Sequence, residues 1–500
     1  MSQVVVIGAG LAGLAATCHL LGAGHRVVLV EREEIPGGRC GRLVRDGFAF
    51  DTGPTVLTMP QLIDDALAAI GVRREQVLPL RRLDPAYRAR YADGSELRVM
   101  AGTEAMRAEI ARVCSERDAA AYTEFVDWLE TLYQLELPHF IDRNFDSPVD
   151  LFTRPRAMAG LLAAGGFGRL GPAVERRFAD DRLHRLFSFQ AMYAGLSPTQ
   201  ALAIYAVITY MDSVSGVYFP DASIGSGGPH GSGMHAVPAA MAAAAQSAGA
   251  EICYGQSVDE VLRRSDGAVA GVRLADGTRI AADAVVCTID LPQAYATLLK
   301  DLPMPAALRR PAFSPSAVVW HLGVRGGPPA GASHHNIHFG DAWGPAFDDL
   351  LERGRLMRSA SRLVCIPSID DPAAAPEGAS SLYVLEPVPN LVTGRIDWAR
   401  ERPAMRQRLL DFLSSNGYPT DIVTEELVTP TDWAASGMAA GTPFALSHNF
   451  AQTGPFRPGN TTRRLPGLVF AGSGTVPGVG VPMVLISGRL AAERVEGYLR

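Results

Sequence analysis

Three glycines near the start of the chain have the spacing of a phosphate cradle. Gly8, Gly10 and Gly13 stand in Gly8-Ala9-Gly10-Leu11-Ala12-Gly13. A tight turn, the approach of a backbone to a pyrophosphate and a close helix–strand crossing each require a residue without Cβ at these positions. A helix opening at this turn adds unpaired N–H groups and partial positive charge. Glu31 follows at the separation expected of a carboxylate that accepts hydrogen bonds from ribose hydroxyls. Its charge would repel a 2′-phosphate, which disfavours NADP. Pro36-Gly37-Gly38-Arg39 could close over the same pyrophosphate, and Gly467-Leu468-Val469-Phe470-Ala471-Gly472-Ser473-Gly474 is a second strand running into glycines. NAD has no use for so distant a second site, whereas a flavin's ribityl chain and ring do, so FAD is the expected cofactor. Gly480-Val481-Pro482-Met483-Val484 then opens a helix, with proline in the first turn where its missing N–H costs nothing. Aimed at a flavin, that helix end would stabilise negative charge on the reduced ring.

Two kinds of element must hold these residues in place. Val4–Ile7 and Arg26–Val30 are unbroken apolar runs of the kind a parallel strand buried on both faces needs. Between them the pattern predicts a helix to about Ala23, stopped by Gly24. Residues 76–225 read as mostly helical, with apolar spacing over 104–135 (Met106, Ile110, Val113, then Phe125, Leu129, Leu132) that suits amphipathic helices. Residues 222–233 read as a flexible loop and Met234–Ala248 as an alanine-rich helix. Glu251 to Asp290 reads as strands joined at Asp266-Gly267 and Asp276-Gly277. From 291 to 440 strands and helices mix. The expected fold class is α/β: a Rossmann-like FAD-binding domain, a parallel sheet plus a β-meander, with an interrupting α+β substrate domain. The first is assigned residues 1–75, 230–290 and 440–500; the second, which would also face a membrane, residues 76–229 and 291–439.

Composition bounds the alternatives. With 500 residues, 47% hydrophobic and 20% charged, the chain can bury large cores and is neither disordered nor a disulfide scaffold. A net charge of −6 argues against a nucleic-acid partner. The six scattered cysteines lack zinc-site spacing and fit a reducing compartment, and no secretion signal precedes Val4. Pro466–Gly488 carries no charge, yet its glycines and prolines would leave backbone unpaired in lipid, so it reads as strand, loop and buried helix rather than an anchor.

Taken together the motifs resemble the FAD-dependent carotenoid desaturases of the bacterial phytoene desaturase type, over essentially the whole chain. The N-terminal glycines, Glu31 and Gly37-Gly38-Arg39 are shared with a broad flavoprotein superfamily that includes amine oxidases. More specific are Phe50-Asp51-Thr52-Gly53-Pro54-Thr55, Phe187–Gly195, His335–Gly340, Pro387–Leu391, Phe456–Asn460 and Ala471–Pro482. The resemblance implies removal of hydrogen from C–C bonds of a C40 polyene, extending its conjugation, with hydride passing to flavin N5 and a quinone or O2 as final acceptor. The cofactor-binding positions expected from motif and resemblance together are Gly8, Gly10, Leu11, Ala12, Gly13, Glu31, Arg32, Gly38, Arg39, Gly53, Pro54, Thr55, Val258, Gly472, Ser473, Gly480, Val481, Pro482 and Met483. One departure stands out: Ser473 occupies the place where broad flavoprotein fingerprints carry an acidic residue for the ribityl hydroxyls. The alternatives are another flavin oxidase, acting on amines or porphyrinogens, and a lipid escort of the same fold without flavin. An amine oxidase would call for a lysine near the ring, for which Lys300 is poorly placed.

A hydrocarbon offers nothing to hydrogen-bond, so its site should be a long apolar channel. Phe187, Phe189, Tyr193, Leu202, Ile204, Tyr205, Ile208, Tyr210, Tyr218 and Phe219 are the candidates to line it, with ordinary core the competing role for each. No catalytic residue is assigned. Asp142, Asp146 and Asp150 read as helix caps and turn formers before proton acceptors. His334-His335-x-x-His338 reads as packing, since strand alternation separates His335 from His338 and no metal ligand completes a site. Arg154, Arg156, Arg169, Arg176, Arg177, Arg182 and Arg185 surround the apolar stretch Met158–Phe167. They suggest peripheral contact with the cytoplasmic face of a membrane, against a plain solvated surface.

Overall fold

The computed structural model describes residues 1–224 and 228–500. Five short strands make a parallel sheet in the order Leu468–Phe470, Ala284–Cys287, Gln3–Ile7, Arg26–Val30 and Glu251–Cys253. Val4, Val5 and Val6 have no exposed surface, because helices cover one face and a β-meander the other; this explains the absence of polar alternation. The helix Leu11–Gly22 ends as expected, with Gly24 at φ +87° just beyond it. It packs along the C-terminal helix Val481–Leu499 so closely that a Cβ on Gly488 would overlap the Ala12 carbonyl oxygen. That crossing brings the two ends of the chain together.

The meander consists of Val258–Arg263, Val269–Leu274 and Arg279–Ala281. Its turns are the two Asp-Gly pairs: Asp266 accepts the Ala268 N–H at 2.9 Å and Asp276 the Thr278 N–H at 2.8 Å. The alanine-rich helix spans Ala236–Ser247, starting two residues late because the Met234 and His235 N–H groups donate to the buried Asp51 carboxylate at 2.7 and 2.9 Å. Of the loop read at 222–233, residues 225–227 lie outside the described residues.

A second, seven-stranded sheet runs Asp421–Val428, Ser316–Arg325, Ala379–Val388, Arg362–Cys365, His335–His338, Tyr87–Arg90 and Glu96–Val99. All its neighbours are antiparallel except His335–His338 with Tyr87–Arg90. Here the helical reading of 76–225 needs correction. Residues 80–82, 87–90, 96–99 and 218–220 are strands. Arg88 and Arg90 occupy alternate positions and pair with Glu96 across the hairpin, so the pattern is strand-like although its inward side is charged. Beyond it the expected helices form, as Thr103–Val113 and Glu116–Glu136, the second capped by Ser115, which accepts the Asp118 N–H at 3.0 Å. Met106, Ile110, Phe125, Leu129 and Leu132 are wholly buried. Among the described residues no helix is long and apolar enough to cross a membrane; Pro466–Gly488 divides into the strand Leu468–Phe470, a loop and the start of the last helix.

Candidate functional site

The chemistry of the first turn follows from how little room it has. Gly8 sits at φ +101°, a Cβ there would overlap Thr288 Oγ1, and a Cβ on Gly13 would overlap the Gly8 carbonyl oxygen. Gly10 differs: its nearest neighbour, the Gly37 carbonyl oxygen, is 3.8 Å from where a Cβ would stand, and the residue lines a cavity. Two of the glycines therefore serve packing, and the third keeps a path to backbone open. Glu31 is buried at the end of its strand, where it accepts the Ala9 N–H at 2.6 Å and the Glu33 N–H at 3.0 Å. A carboxylate has about four acceptor positions, so capacity remains toward the cavity.

That cavity, about 1440 Å³, is lined by every cofactor position expected from the sequence except Gly13, which lies beneath Gly8. Gly37 bridges to Gly10, and a Cβ on Gly53 would overlap the Arg39 carbonyl oxygen, which locks the Gly53-Pro54-Thr55 turn against the Gly38-Arg39 segment. His335 Nε2 stands 2.9 Å from the Thr55 carbonyl oxygen and steadies the same turn. Burial pushes the His335 imidazole down to about 3, so it is neutral. His338 turns elsewhere, to the Tyr418 hydroxyl at 2.8 Å. Among the described residues no group of three metal-ligating side chains converges.

The C-terminal glycines are held by a residue that sequence reasoning placed in a motif without giving it a role. Arg457 is wholly enclosed and donates to the carbonyl oxygens of Ser473 (2.6 Å), Thr475 (3.0 Å), Gln452 (3.2 Å) and Leu446 (3.3 Å). Burial pulls its guanidinium down to about 10, which still leaves it charged at neutral pH. The Gly472 N–H donates to Ser487 Oγ at 3.0 Å. Between them these contacts present Gly472, Ser473 and the N-terminus of the last helix, Gly480 to Met483, to the cavity. The missing acid at 473 has a neighbour able to replace it. Arg39 bonds both Ser473 Oγ and Asp290, the latter at 2.6 Å, while the other Asp290 oxygen is buried on the cavity wall without a partner. An unpaired carboxylate oxygen beside a glycine cradle and a helix N-terminus suits a hydroxyl-bearing chain with a pyrophosphate, as a flavin dinucleotide has.

Away from the glycines the same cavity turns apolar. Of the ten residues proposed for a channel, Phe189, Tyr193, Ile204, Tyr205 and Ile208 line it, together with Phe339, Trp343, Leu363, Leu385 and Trp433. Phe187 belongs instead to an aromatic core with Tyr122, Phe125 and Phe178, and Phe219 packs on Arg81 and His334. Glu136 and Asp212 are two buried carboxyls in this lining, neither singled out by sequence, and the half-exposed Glu426 and Asp432 line it with Arg362 and Arg402. Asp142 and Asp146 pair with Arg489 and Arg494 of the last helix, and Asp150 completes a capping box with Ser147. The arginine cluster divides. Arg177 lies over Trp128, Arg182 pairs with Asp180 and Arg185 with Asp181, while Arg154, Arg156, Arg169 and Arg176 are exposed. Lys300 is exposed and belongs to the cavity lining.

Known proteins share this architecture. The flavin containing amine oxidoreductase family matches residues 11–496. A phytoene dehydrogenase of Streptomyces griseus is 50% identical, covering 99% of this chain and 96% of its own. A zeta-carotene-forming phytoene desaturase of Myxococcus xanthus is 37% identical, covering 99% and 93%. Among solved structures, an oxidoreductase from Methanosarcina mazei superposes with a TM-score of 0.62 over 98% of this chain and 100% of that one, at 17% identity, a likeness of fold. A match spanning nearly every element described above makes this chain a member of the flavin containing amine oxidoreductase family.

Proposed function

We propose that the protein is an FAD-dependent desaturase of phytoene-type carotenoid precursors. The carrying observation is one cavity whose glycine-lined end continues into a largely apolar and aromatic part, in which Glu136 and Asp212 are buried carboxyls. Such a space suits a long hydrocarbon laid against a redox cofactor. The 50% identity to a phytoene dehydrogenase along both chains supports the same reading. Bound FAD supplies the two-electron acceptor, taking hydrogen from a C–H bond at N5.

The chain's own residues do the rest. Gly10, Leu11 and Ala12 receive the pyrophosphate, with Gly38 and Arg39 closing over it; Glu31 takes a ribose, with Arg32 and Val258 beside it. Gly472, Ser473 and Asp290 hold the ribityl chain. Gly53-Pro54-Thr55 and the helix start at Gly480, Val481, Pro482 and Met483 flank the ring, and Gly8 and Gly13 keep the turn compact. In this assignment the parallel sheet and meander (1–75, 230–290, 440–500) carry the cofactor, and the rest shapes the polyene site. The acceptor that reoxidises the flavin is a quinone or O2.

Contact with a membrane's cytoplasmic face follows from the substrate and has a candidate surface. Val149, Phe152 and Phe450 are 69%, 72% and 61% exposed, on segments that both pack against Gly454–Phe456. Exposed Arg154 and Arg156 adjoin them, and Phe140, Phe145, Thr453 and Gly454 lead from there into the cavity. Anaerobic addition of phytoene to the flavin-loaded protein tests the proposal: bleaching of the flavin band by phytoene, and not by amines, is the expected result. Bleaching by an amine with phytoene inert would overturn it.

A further inference from the structure

Two buried carboxyls, Glu136 and Asp212, stand in the cavity wall among apolar side chains, and the protein treats them in opposite ways. Glu136, at the end of the helix Glu116–Glu136, is 5% exposed and its Oε1 has no hydrogen-bond partner. With nothing to offset burial, its carboxyl is held well above the usual range and stays neutral. Asp212 is 2% exposed yet supplied with donors: Ser213 Oγ at 2.7 Å, and Gln190 Nε2 at 3.5 Å from each carboxylate oxygen. The groups that act on it among the described residues are neutral in ordinary conditions: Ser213 beside it, Gln190 and Tyr193 from the segment Phe189–Ala194, Tyr87 from the strand Tyr87–Arg90, and Tyr122 from the helix Glu116–Glu136. Among the described residues no salt bridge reaches it. Burial raises Asp212 to about 7, its neutral donors opposing the rise.

A structural carboxylate is usually paired with a cation or bound by backbone N–H groups, as Asp51 is. Asp212 instead stands on the wall of a hydrocarbon-sized space. Ile208, one helical turn before it, and Tyr193 line the same space, and Tyr193 has 37% of its surface accessible there. Removing hydrogen from a saturated C–C bond releases a proton as well as a hydride equivalent, and an apolar site must give that proton somewhere to go. We infer, on the basis of the desaturase reading, that the Asp212 carboxylate is the proton acceptor of the dehydrogenation. One substrate C–H bond breaks with its electron pair and hydrogen passing to the oxidised flavin. The C–H bond on the adjacent carbon breaks with its proton passing to an Asp212 oxygen, and its electron pair becomes the new C=C π bond. Asp212 then releases the proton to solvent before the next turnover.

The test pairs a kinetic readout with one that needs no turnover. In single-turnover reduction of the bound flavin by phytoene, the wild-type rate should rise with pH through about 7. Asp212→Asn should slow it roughly hundredfold and flatten the profile, and Glu136→Gln should keep the midpoint. In flavin-free protein, a polyene that displaces water favours the neutral carboxyl. Its binding should therefore take up a proton and weaken several-fold as pH rises through about 7. In Asp212→Asn both the uptake and the pH dependence should vanish. A wild-type protein that reduces flavin while Asp212→Asn retains rate and profile would overturn the inference alone. A midpoint that disappears in Glu136→Gln instead would overturn it too. Wild-type protein whose flavin phytoene never reduces would overturn the desaturase reading and this inference with it.

Discussion

The two ends of the cavity are built from different materials. At the glycine end, backbone sets the shape: Gly8, Gly10, Gly13, Gly38 and Gly53 are placed where chain segments approach one another or border the cavity, and Glu31 and Asp290 add fixed acceptors, the surfaces proposed to receive the flavin. At the apolar end the shape is set by side chains of Phe189, Tyr193, Ile208, Phe339 and Trp433, which offer area but few directed bonds. A backbone cradle tolerates almost no added atom, while an apolar wall tolerates size changes and rejects charge. The difference predicts that each end can be disabled without the other.

The largest effect is expected from a charge at the apolar end. Ile208→Arg should abolish polyene binding, a loss of roughly hundredfold or more, while the flavin spectrum and its affinity stay as in wild type. Loss of flavin in that variant would mean that the two ends are not separable. Two alanines then separate packing from ligand approach within the cradle. Gly13→Ala meets the Gly8 carbonyl and should cost the flavin-free protein roughly 1–3 kcal/mol in a denaturant titration. Gly10→Ala meets nothing nearer than the Gly37 carbonyl oxygen at 3.8 Å and should leave stability within about 0.5 kcal/mol. Flavin affinity measured by titration should nevertheless fall roughly tenfold in Gly10→Ala. Asp290→Asn removes one charged acceptor from the proposed ribityl site and the partner of Arg39. It should weaken flavin about tenfold with polyene affinity unchanged.

The smallest effect concerns Asp212, one of the buried carboxyls in the cavity wall. Because Asp212 titrates near 7 when folded and near 3.8 when unfolded, the folded state holds the extra proton between those values. Its contribution to stability is therefore full at low pH and lost as pH rises through that window. Asp212→Asn should raise the thermal midpoint by roughly 1–3 °C at pH 8 and leave it unchanged at about pH 4. A gain at low pH would mean that its hydrogen bonds, not its charge, limit stability.

The same contrast explains what the sequence could and could not reveal. Glycines needed for backbone approach leave a spacing, and double-sided burial leaves runs such as Val4–Ile7, so cradle and parallel sheet were legible. The channel was half legible: Phe187 and Phe189 are alike in composition, yet one sits in an aromatic core and the other on the cavity wall, because core and channel are both apolar. The hairpin of Tyr87–Arg90 and Glu96–Val99 was missed since its arginines, paired with Glu96, hide the strand pattern. Asp212, Glu136, Asp290 and Arg457 acquire their roles only through neighbours. Gln190 is 22 positions from Asp212 and Arg39 is 251 from Asp290, and no local signal marks such contacts.

The central claim is that both ends of the chain close around one flavin facing a hydrocarbon space. Chromatography of the products formed from defined phytoene with FAD and an added quinone tests it most directly. The account predicts polyenes poorer in hydrogen, with absorption shifted to longer wavelength as conjugation extends. Phytoene recovered unchanged from protein that has bound its flavin would contradict it.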